Sequence, residues 1–243
     1  SKVERNDYTG VEVQPTARLA WQPLAQQTIW AAFSRAVRTP SPYEHDLFLD
    51  IYNPDPPFFY RLTGDRDFRS EVVYASEAGY RFQTGNLWVA LSCFFNVYRG
   101  LLGFEIGTPF TEADPPPGRT VIPAHFRNGY DGKTHGGELR ADWGVTRWFK
   151  LHGFYSYLKI DLDRTASIIA PQTEAATENS SPRHQVALRL AFELPHGLEL
   201  DGTFRFVDEL PAQGVKAYVN LDVRLGWRVL PGLDLSVVGQ NLL

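Results

Sequence analysis

Apolar and polar residues alternate along most of this chain, and that period of two limits the possible folds more than any other feature. In residues 219–229, every odd position is apolar, and the even positions are polar or glycine. Residues 185–194 and 198–206 alternate in the same way, with the large apolar side chains at the even positions. Successive side chains of a β-strand point to opposite faces, whereas a helix would scatter these residues around its axis. The pattern therefore predicts β-strands with one apolar and one polar face.

About ten segments show this alternation, and the connections between them differ in length. The predicted strands are residues 10–22, 28–38, 70–82, 87–103, 126–145, 148–162, 183–194, 198–208, 217–229 and 233–243. Short connections alternate mostly with long ones, at about 39–69, 104–125 and 163–182, and a further short one lies near 209–216. Short turns at one end and long loops at the other are typical of transmembrane β-barrels. The pattern predicts an all-β protein of antiparallel, meandering strands.

A soluble β-sandwich also alternates, and it is the alternative fold. Its strands are usually about five or six residues long, shorter than those predicted here. The apolar face is nearly free of charge, and aromatic residues end it close to the short turns: Trp21, Trp143, Trp148, Trp227 and Tyr80. Aromatic side chains concentrate at membrane interfaces. Because a charge on a lipid-facing surface costs roughly 2–4 kcal/mol at the midplane, its scarcity on one face favours a barrel in a bilayer.

Composition excludes several classes of function. The chain has 24 basic and 28 acidic residues and a net charge of −4, which gives no reason to expect nucleic acid as a partner. Its one cysteine, Cys93, excludes an intrachain disulfide framework and is assigned to the lipid face as an inert small side chain. The chain contains no Met and begins on charged residues, so we expect it to be part of a longer protein.

Several motifs resemble the C-terminal part of the β-barrel of TonB-dependent outer-membrane receptors. They are Pro182-Arg183-His184-Gln185, Asp208-Glu209-Leu210-Pro211-Ala212 and residues 15–21, 34–40, 74–81, 136–139, 217–227 and 238–242. The resemblance extends over about residues 11–243. It implies that residues 1–243 are part of a 22-stranded barrel, about ten strands of it. The plug domain, the segment that binds TonB, the first half of the barrel and the last strand are expected to be absent.

The resemblance also implies a function and partners. The expected function is active uptake of a scarce ligand across the outer membrane of a Gram-negative bacterium, coupled to the TonB–ExbB–ExbD system. An iron–siderophore complex is the commonest cargo, and cobalamin, haem or a glycan are alternatives. A passive porin or a structural barrel is a further alternative. Outer-membrane lipid and the receptor's own plug domain are the other expected partners. No enzymatic activity, catalytic residue, cofactor or metal site is expected.

Charged residues on the polar face are predicted to line the lumen and to contact the plug. They are Arg18, Glu77, Arg81, Glu138, Arg140, Asp142, Arg189, Glu193, Asp201, Arg205, Asp222 and Arg224. The loop candidates for ligand binding are Tyr43, His45, Phe59, Tyr60, Arg61, Arg127 and Tyr130. The aromatic run at residues 53–61 is either a contact surface for an aromatic or anionic ligand, with charge from Arg61, or a loop that packs on itself.

Two further motifs resemble known binding sites, but we do not predict a binding site at either. Gly132-Lys133-Thr134 resembles the end of a phosphate-binding loop, but the glycine that this motif requires five positions earlier is replaced by Arg127. Glu44-His45-Asp46 has metal-binding side chains, but three consecutive residues rarely converge on one ion.

Overall fold

The computed structural model of this chain describes residues 1–55, 57–113, 118–165 and 171–243. Its strands are β1 (Lys2–Asn6), β2 (Gly10–Gln14), β3 (Thr16–Leu24), β4 (Gln27–Arg38), β5 (Phe48–Pro54), β6 (Pro57–Thr63), β7 (Glu71–Gln83), β8 (Leu87–Ile106), β9 (Phe110–Glu112), β10 (Arg119–Gly144), β11 (Phe149–Arg164), β12 (His184–Leu194), β13 (Leu198–Val207), β14 (Tyr218–Leu230) and β15 (Leu233–Gly239). The helices are α1 (Pro42–Asp46) and α2 (Pro171–Glu178), with 3₁₀ turns at Pro195–Gly197 and Pro211–Gln213. None of the described helices is long and apolar enough to span a bilayer.

Ten strands form one continuous antiparallel sheet, in the order β3-β4-β7-β8-β10-β11-β12-β13-β14-β15. These are the ten strands predicted from the alternation, so the predicted fold class is confirmed. One predicted segment, residues 10–22, is divided at Pro15 into β2 and β3. Proline has no N–H to donate to a strand ladder, which explains the break. β2 instead forms a separate hairpin with β1.

The pairing register keeps the two faces of the sheet distinct. Residues directly opposite each other on neighbouring strands point to the same face. One such row of partners crosses nine strands: Trp21, Ile29, Tyr80, Leu91, Leu139, Tyr155, Val186, Phe206 and Val219. Among the described residues, no second sheet covers this apolar face, and Leu19 is 70% and Val237 73% exposed. The sandwich alternative is therefore wrong.

The two ends of the sheet differ as predicted. Five short connections lie at one end, which we call the short-turn end, and the longer connections lie at the other, the long-loop end. In the turn between β12 and β13, Gly197 has a φ of +73°, and a Cβ there would lie 2.8 Å from the carbonyl oxygen of Arg228. Glycine is the residue that adopts this conformation without steric cost.

The long-loop end contains more regular structure than the sequence indicates. The predicted connection at residues 39–69 contains α1, β5 and β6, and that at 104–125 contains β9 and the outer ends of β8 and β10. α2 lies within the predicted connection at 163–182. β6 runs parallel to the outer part of β10, with Val121 opposite Phe59 and His125 opposite Thr63. The β5–β6 hairpin thus extends the wall of the sheet.

The apolar core of the described residues lies at this end. Phe68, Val121, Phe126 and Tyr130 are its buried apolar side chains, and three of the four are on β10. Asn128, at a β-bulge of β10, fixes the segment that leads into β7. Its side chain accepts a hydrogen bond from the N–H of Arg69 at 2.7 Å and donates to the carbonyl oxygens of Arg69 and Gly100, at 2.9 and 2.5 Å.

Candidate functional site

Charged side chains of the polar face form ion pairs across neighbouring strands. Asp201 on β13 binds Arg189 on β12 at 2.7 Å and Arg224 on β14 at 3.0 Å. Arg224 also lies 3.0 Å from Glu199. The register places all twelve residues predicted to line a lumen on this one face. Their role as lumen and plug contacts stays a prediction.

Asp142 and His152 line a cavity of about 620 Å³ at the short-turn end. Asp142 lies 2.6 Å from His152 Nδ1 and 3.2 Å from Arg140. The Arg140 guanidinium lies over the ring of Trp88, 5.4 Å from its centroid. The sequence prediction omitted Trp88 and His152, although their even positions in the alternation place them on the polar face. The parity of the alternation was the available signal.

At the long-loop end, two arginines and two carboxylates bind one another. Arg61 on β6 donates to both oxygens of Asp50 on β5, at 2.8 and 2.9 Å, and to Glu112 on β9. Arg119 on β10 binds the same two carboxylates, at 3.0 Å from Asp50 and 2.8 Å from Glu112. We call these four residues the rim cluster. It joins the β5–β6 hairpin to β9 and β10.

Aromatic rings flank the rim cluster. The guanidinium of Arg61 lies 4.9 Å from the ring centroid of Phe48, and that of Arg119 lies 4.8 Å from the ring of Phe59. Hydrogen bonds from Arg61 hold the pKa of Asp50 and the pKa of Glu112 below their usual values. The charge of Arg61 is therefore balanced within the chain, and a contact between Arg61 and an anionic ligand is a prediction that this geometry does not favour.

The other loop candidates do not converge on one site. Tyr43 is exposed on α1, whereas His45 packs against the ring of Tyr8 at 4.8 Å. Tyr60 is exposed on the face of β6 opposite Arg61. Arg127 forms an ion pair with Glu105 at 2.5 Å.

Tyr130, at 4% exposure, belongs to the core rather than to an open surface. In the aromatic run, Pro56 lies outside the described residues. The described part of the chain contains no group of three or more His, Cys, Asp and Glu side chains that could hold a metal ion.

Comparison with known proteins decides the family. The family model for the TonB-dependent receptor-like β-barrel matches residues 1–242 of this chain. The chain belongs to this family. The resemblance seen in the sequence is thereby confirmed, and because TonB-dependent receptors are transporters, the prediction that the chain is not an enzyme is confirmed as well. No curated protein sequence matches the chain.

Solved structures share its fold at low sequence identity. The siderophore receptor PirA from Acinetobacter baumannii is 14% identical with a TM-score of 0.66, and the match covers 97% of this chain and 37% of PirA. A mutant of the ferric enterobactin receptor PfeA from Pseudomonas aeruginosa, in complex with enterobactin, is 16% identical with a TM-score of 0.68 and coverages of 99% and 36%. The iron transporter FrpB from Neisseria meningitidis is 16% identical with a TM-score of 0.65 and coverages of 97% and 36%. This chain thus spans little more than a third of their length.

Proposed function

We propose that this TonB-dependent receptor barrel forms part of an outer-membrane importer for an iron–siderophore complex. The observation that carries the proposal is the two-faced single sheet, in which one unbroken apolar row crosses nine strands and charged residues share the opposite face. A lipid environment suits the first face and a wet lumen the second. Family membership supports TonB-dependent uptake, and the solved structures of similar fold are described as siderophore receptors and an iron transporter.

The dimensions of the sheet suit an outer-membrane bilayer. Ten residues separate Trp143 from Lys133 on the apolar face of β10. At about 3.3 Å per residue and a strand tilt of about 40°, they span a height of about 25 Å, the usual height of the apolar band of such barrels. Trp21, Trp148 and Trp227 lie with Trp143 at the short-turn end, where an interfacial aromatic girdle belongs. The short-turn end would then face the periplasm.

The polar face would accept the plug domain of a complete receptor. The arginines of its ion pairs are about half exposed to solvent. Arg189 and Arg205 are 54% and 51% exposed, although each binds an aspartate. Exposed ion pairs contribute roughly 0–1 kcal/mol, so these arginines can exchange partners when another surface docks. The plug would pass the energy delivered by TonB, ExbB and ExbD to the bound cargo.

Uptake of labelled iron tests this proposal. We would express the protein from its full reading frame in an outer-membrane receptor-deficient strain and measure ⁵⁵Fe accumulation from a panel of ferric siderophores. The expected result is saturable uptake that is lost when tonB is deleted. If cobalamin, haem or a glycan competed with the ferric siderophores for uptake, that compound would be identified as the cargo instead. Unsaturable uptake that does not depend on TonB would refute active import and favour a passive porin.

A further inference from the structure

Exposed aromatic rings surround the rim cluster on one face of the long-loop end. A row of cross-strand partners there crosses β5, β6, β10 and β9: Tyr52, Phe59, Val121 and Phe110. Directly opposite residues point to the same face, and the alternation along β5 places Phe48 on it as well. The side chains of Phe48, Tyr52 and Phe110 are exposed. We call these three rings the aromatic platform.

The rim cluster occupies the same face as the platform and has no net charge. Each of its two arginines binds both of its carboxylates, so two positive and two negative charges balance. The guanidinium of Arg61 lies over the rings of Phe48 and Phe110, 4.9 and 5.9 Å from their centroids. A ligand on this face would therefore meet aromatic rings around an electrically neutral centre.

The sequence of the long-loop end is acidic. Its strand ends and connections contain 20 acidic and 15 basic residues, in the segments 1–14, 35–74, 97–133, 159–183 and 208–217. The rest of the chain contains 8 acidic and 9 basic residues. The net negative charge of the chain therefore comes from the long-loop end. A surface of one net sign repels ligands of the same sign and slows their approach.

Ferric siderophores differ in net charge according to their chelating groups. Fe³⁺ held by three dianionic catecholates is a trianion, whereas three monoanionic hydroxamates leave the complex neutral. The acidic segments repel a trianion, and the rim cluster offers it no unbalanced cation. A neutral complex is not repelled, and its apolar surface can pack on exposed aromatic rings. The charges and the rings at this end thus favour the same class of ligand.

We propose that the aromatic platform binds a ferric complex without net charge, of the trihydroxamate class, and discriminates against ferric tris-catecholates. The proposal rests on the proposed function, import of a ferric siderophore, and specifies the class of that cargo. To bind a trianion, Arg61 and Arg119 would have to exchange Asp50 and Glu112 for the ligand. Both released carboxylates would then lie beside it, and like charges placed next to each other oppose binding.

Binding of two matched ferric complexes to the purified protein tests the site. The protein, expressed from its full reading frame and held in detergent, is titrated with a cyclic ferric trihydroxamate and a cyclic ferric tris-catecholate, and both dissociation constants are measured by calorimetry. The trihydroxamate should bind at least roughly tenfold more tightly. Higher salt should strengthen binding of the tris-catecholate, because it screens the repulsion, and should leave binding of the neutral complex unchanged.

Substitutions on the two faces of β5 test the platform itself. Phe48→Ala with Tyr52→Ala removes two ring contacts and should weaken binding of the trihydroxamate roughly tenfold. Ile51→Ala is the matched control, because Ile51 lies next to Tyr52 on the same strand but points to the opposite face. It should leave binding of both complexes unchanged.

A charge variant should reverse part of the preference. Asp50→Asn with Glu112→Gln keeps the shapes of both side chains but leaves Arg61 and Arg119 without their negative partners. Binding of the tris-catecholate should then strengthen roughly tenfold. The heat-sensitive electrophoretic mobility of each variant shows whether its barrel is folded, and the salt dependence of the unchanged protein tests the charge preference without any substitution.

The outcomes separate this proposal from the proposed function. Tighter binding of the tris-catecholate, together with its TonB-dependent uptake, would overturn the charge preference and leave siderophore import intact. Equal losses for Ile51→Ala and for the double platform variant would overturn the platform as the contact surface. If neither complex were bound or taken up, the proposed function and this proposal would both be refuted.

Discussion

Replacing Leu190 by arginine should strongly impair insertion of this barrel into a bilayer. Leu190 lies on the apolar face of β12, opposite Leu151 on β11 and Gly202 on β13, and four residues from the end of its strand at Leu194. Four residues of a tilted strand rise about 10 Å, close to the middle of an apolar band about 25 Å high. An arginine at that depth costs roughly 2–4 kcal/mol, which lowers the folding equilibrium constant roughly 30- to 900-fold.

The adjacent residue supplies a matched control. Ala191→Arg introduces the same side chain one position farther along, on the polar face opposite Asp201 and Lys150. The polar face is open to water, which solvates the new charge, so we expect a change of about 1 kcal/mol or less. Arg189→Ala removes one exposed ion pair and should cost a similarly small amount.

Folding into lipid vesicles measures the difference. The folded fraction of each variant is followed across a urea titration, by the heat-sensitive electrophoretic mobility of a folded barrel. We expect a large shift of the transition for Leu190→Arg and small shifts for the two polar-face variants. Equal shifts for Leu190→Arg and Ala191→Arg would refute the assignment of the apolar face to lipid.

Three other measurements follow from the structure. In single-tryptophan variants, brominated lipids should quench Trp227 on the apolar face and leave Trp88 on the polar face bright, and equal quenching would contradict the register. Because the pKa of Asp50 and that of Glu112 are lowered, the rim cluster is fully stabilising above their usual pKa of about 4 and should open as the pH falls further, which a fluorescence distance between labels on β5 and β9 would detect. Asn128→Ala removes three hydrogen bonds and should speed amide exchange in residues 65–70, by a local destabilisation of about 1–3 kcal/mol.

The ten-stranded part of the sheet was predictable because its determinants are local. A strand with lipid on one side and water on the other must alternate, so the parity of residues 185–194 and 219–229 identified both the strands and their faces. The charged residues of the polar face followed from the same parity. Pro15 interrupts one predicted strand because proline has no N–H for the ladder. The prediction missed this break because the alternation of side chains continues past Pro15.

The rim was not predictable because its contacts join distant parts of the chain. Arg61 and Glu112 are 51 positions apart, and no local pattern pairs them. The consecutive aromatics Phe58, Phe59 and Tyr60 hide the period of two, although β6 places neighbouring rings on opposite faces. The aromatic run thus contributes both to packing, through Phe59 under Arg119, and to an exposed surface at Tyr60.

The position of β6 has a consequence for the order in which this protein folds. β4 and β7 are neighbours in the sheet, but the hairpin between them passes β8 and pairs with the edge of β10 that β11 leaves free. Its partner residues, 121–125, are synthesised about sixty residues after β6 itself. Such long-range closure is slow compared with the formation of neighbouring hairpins. The β5–β6 hairpin can therefore dock only after β7, β8, β9 and β10 have formed, and only then can the rim cluster close.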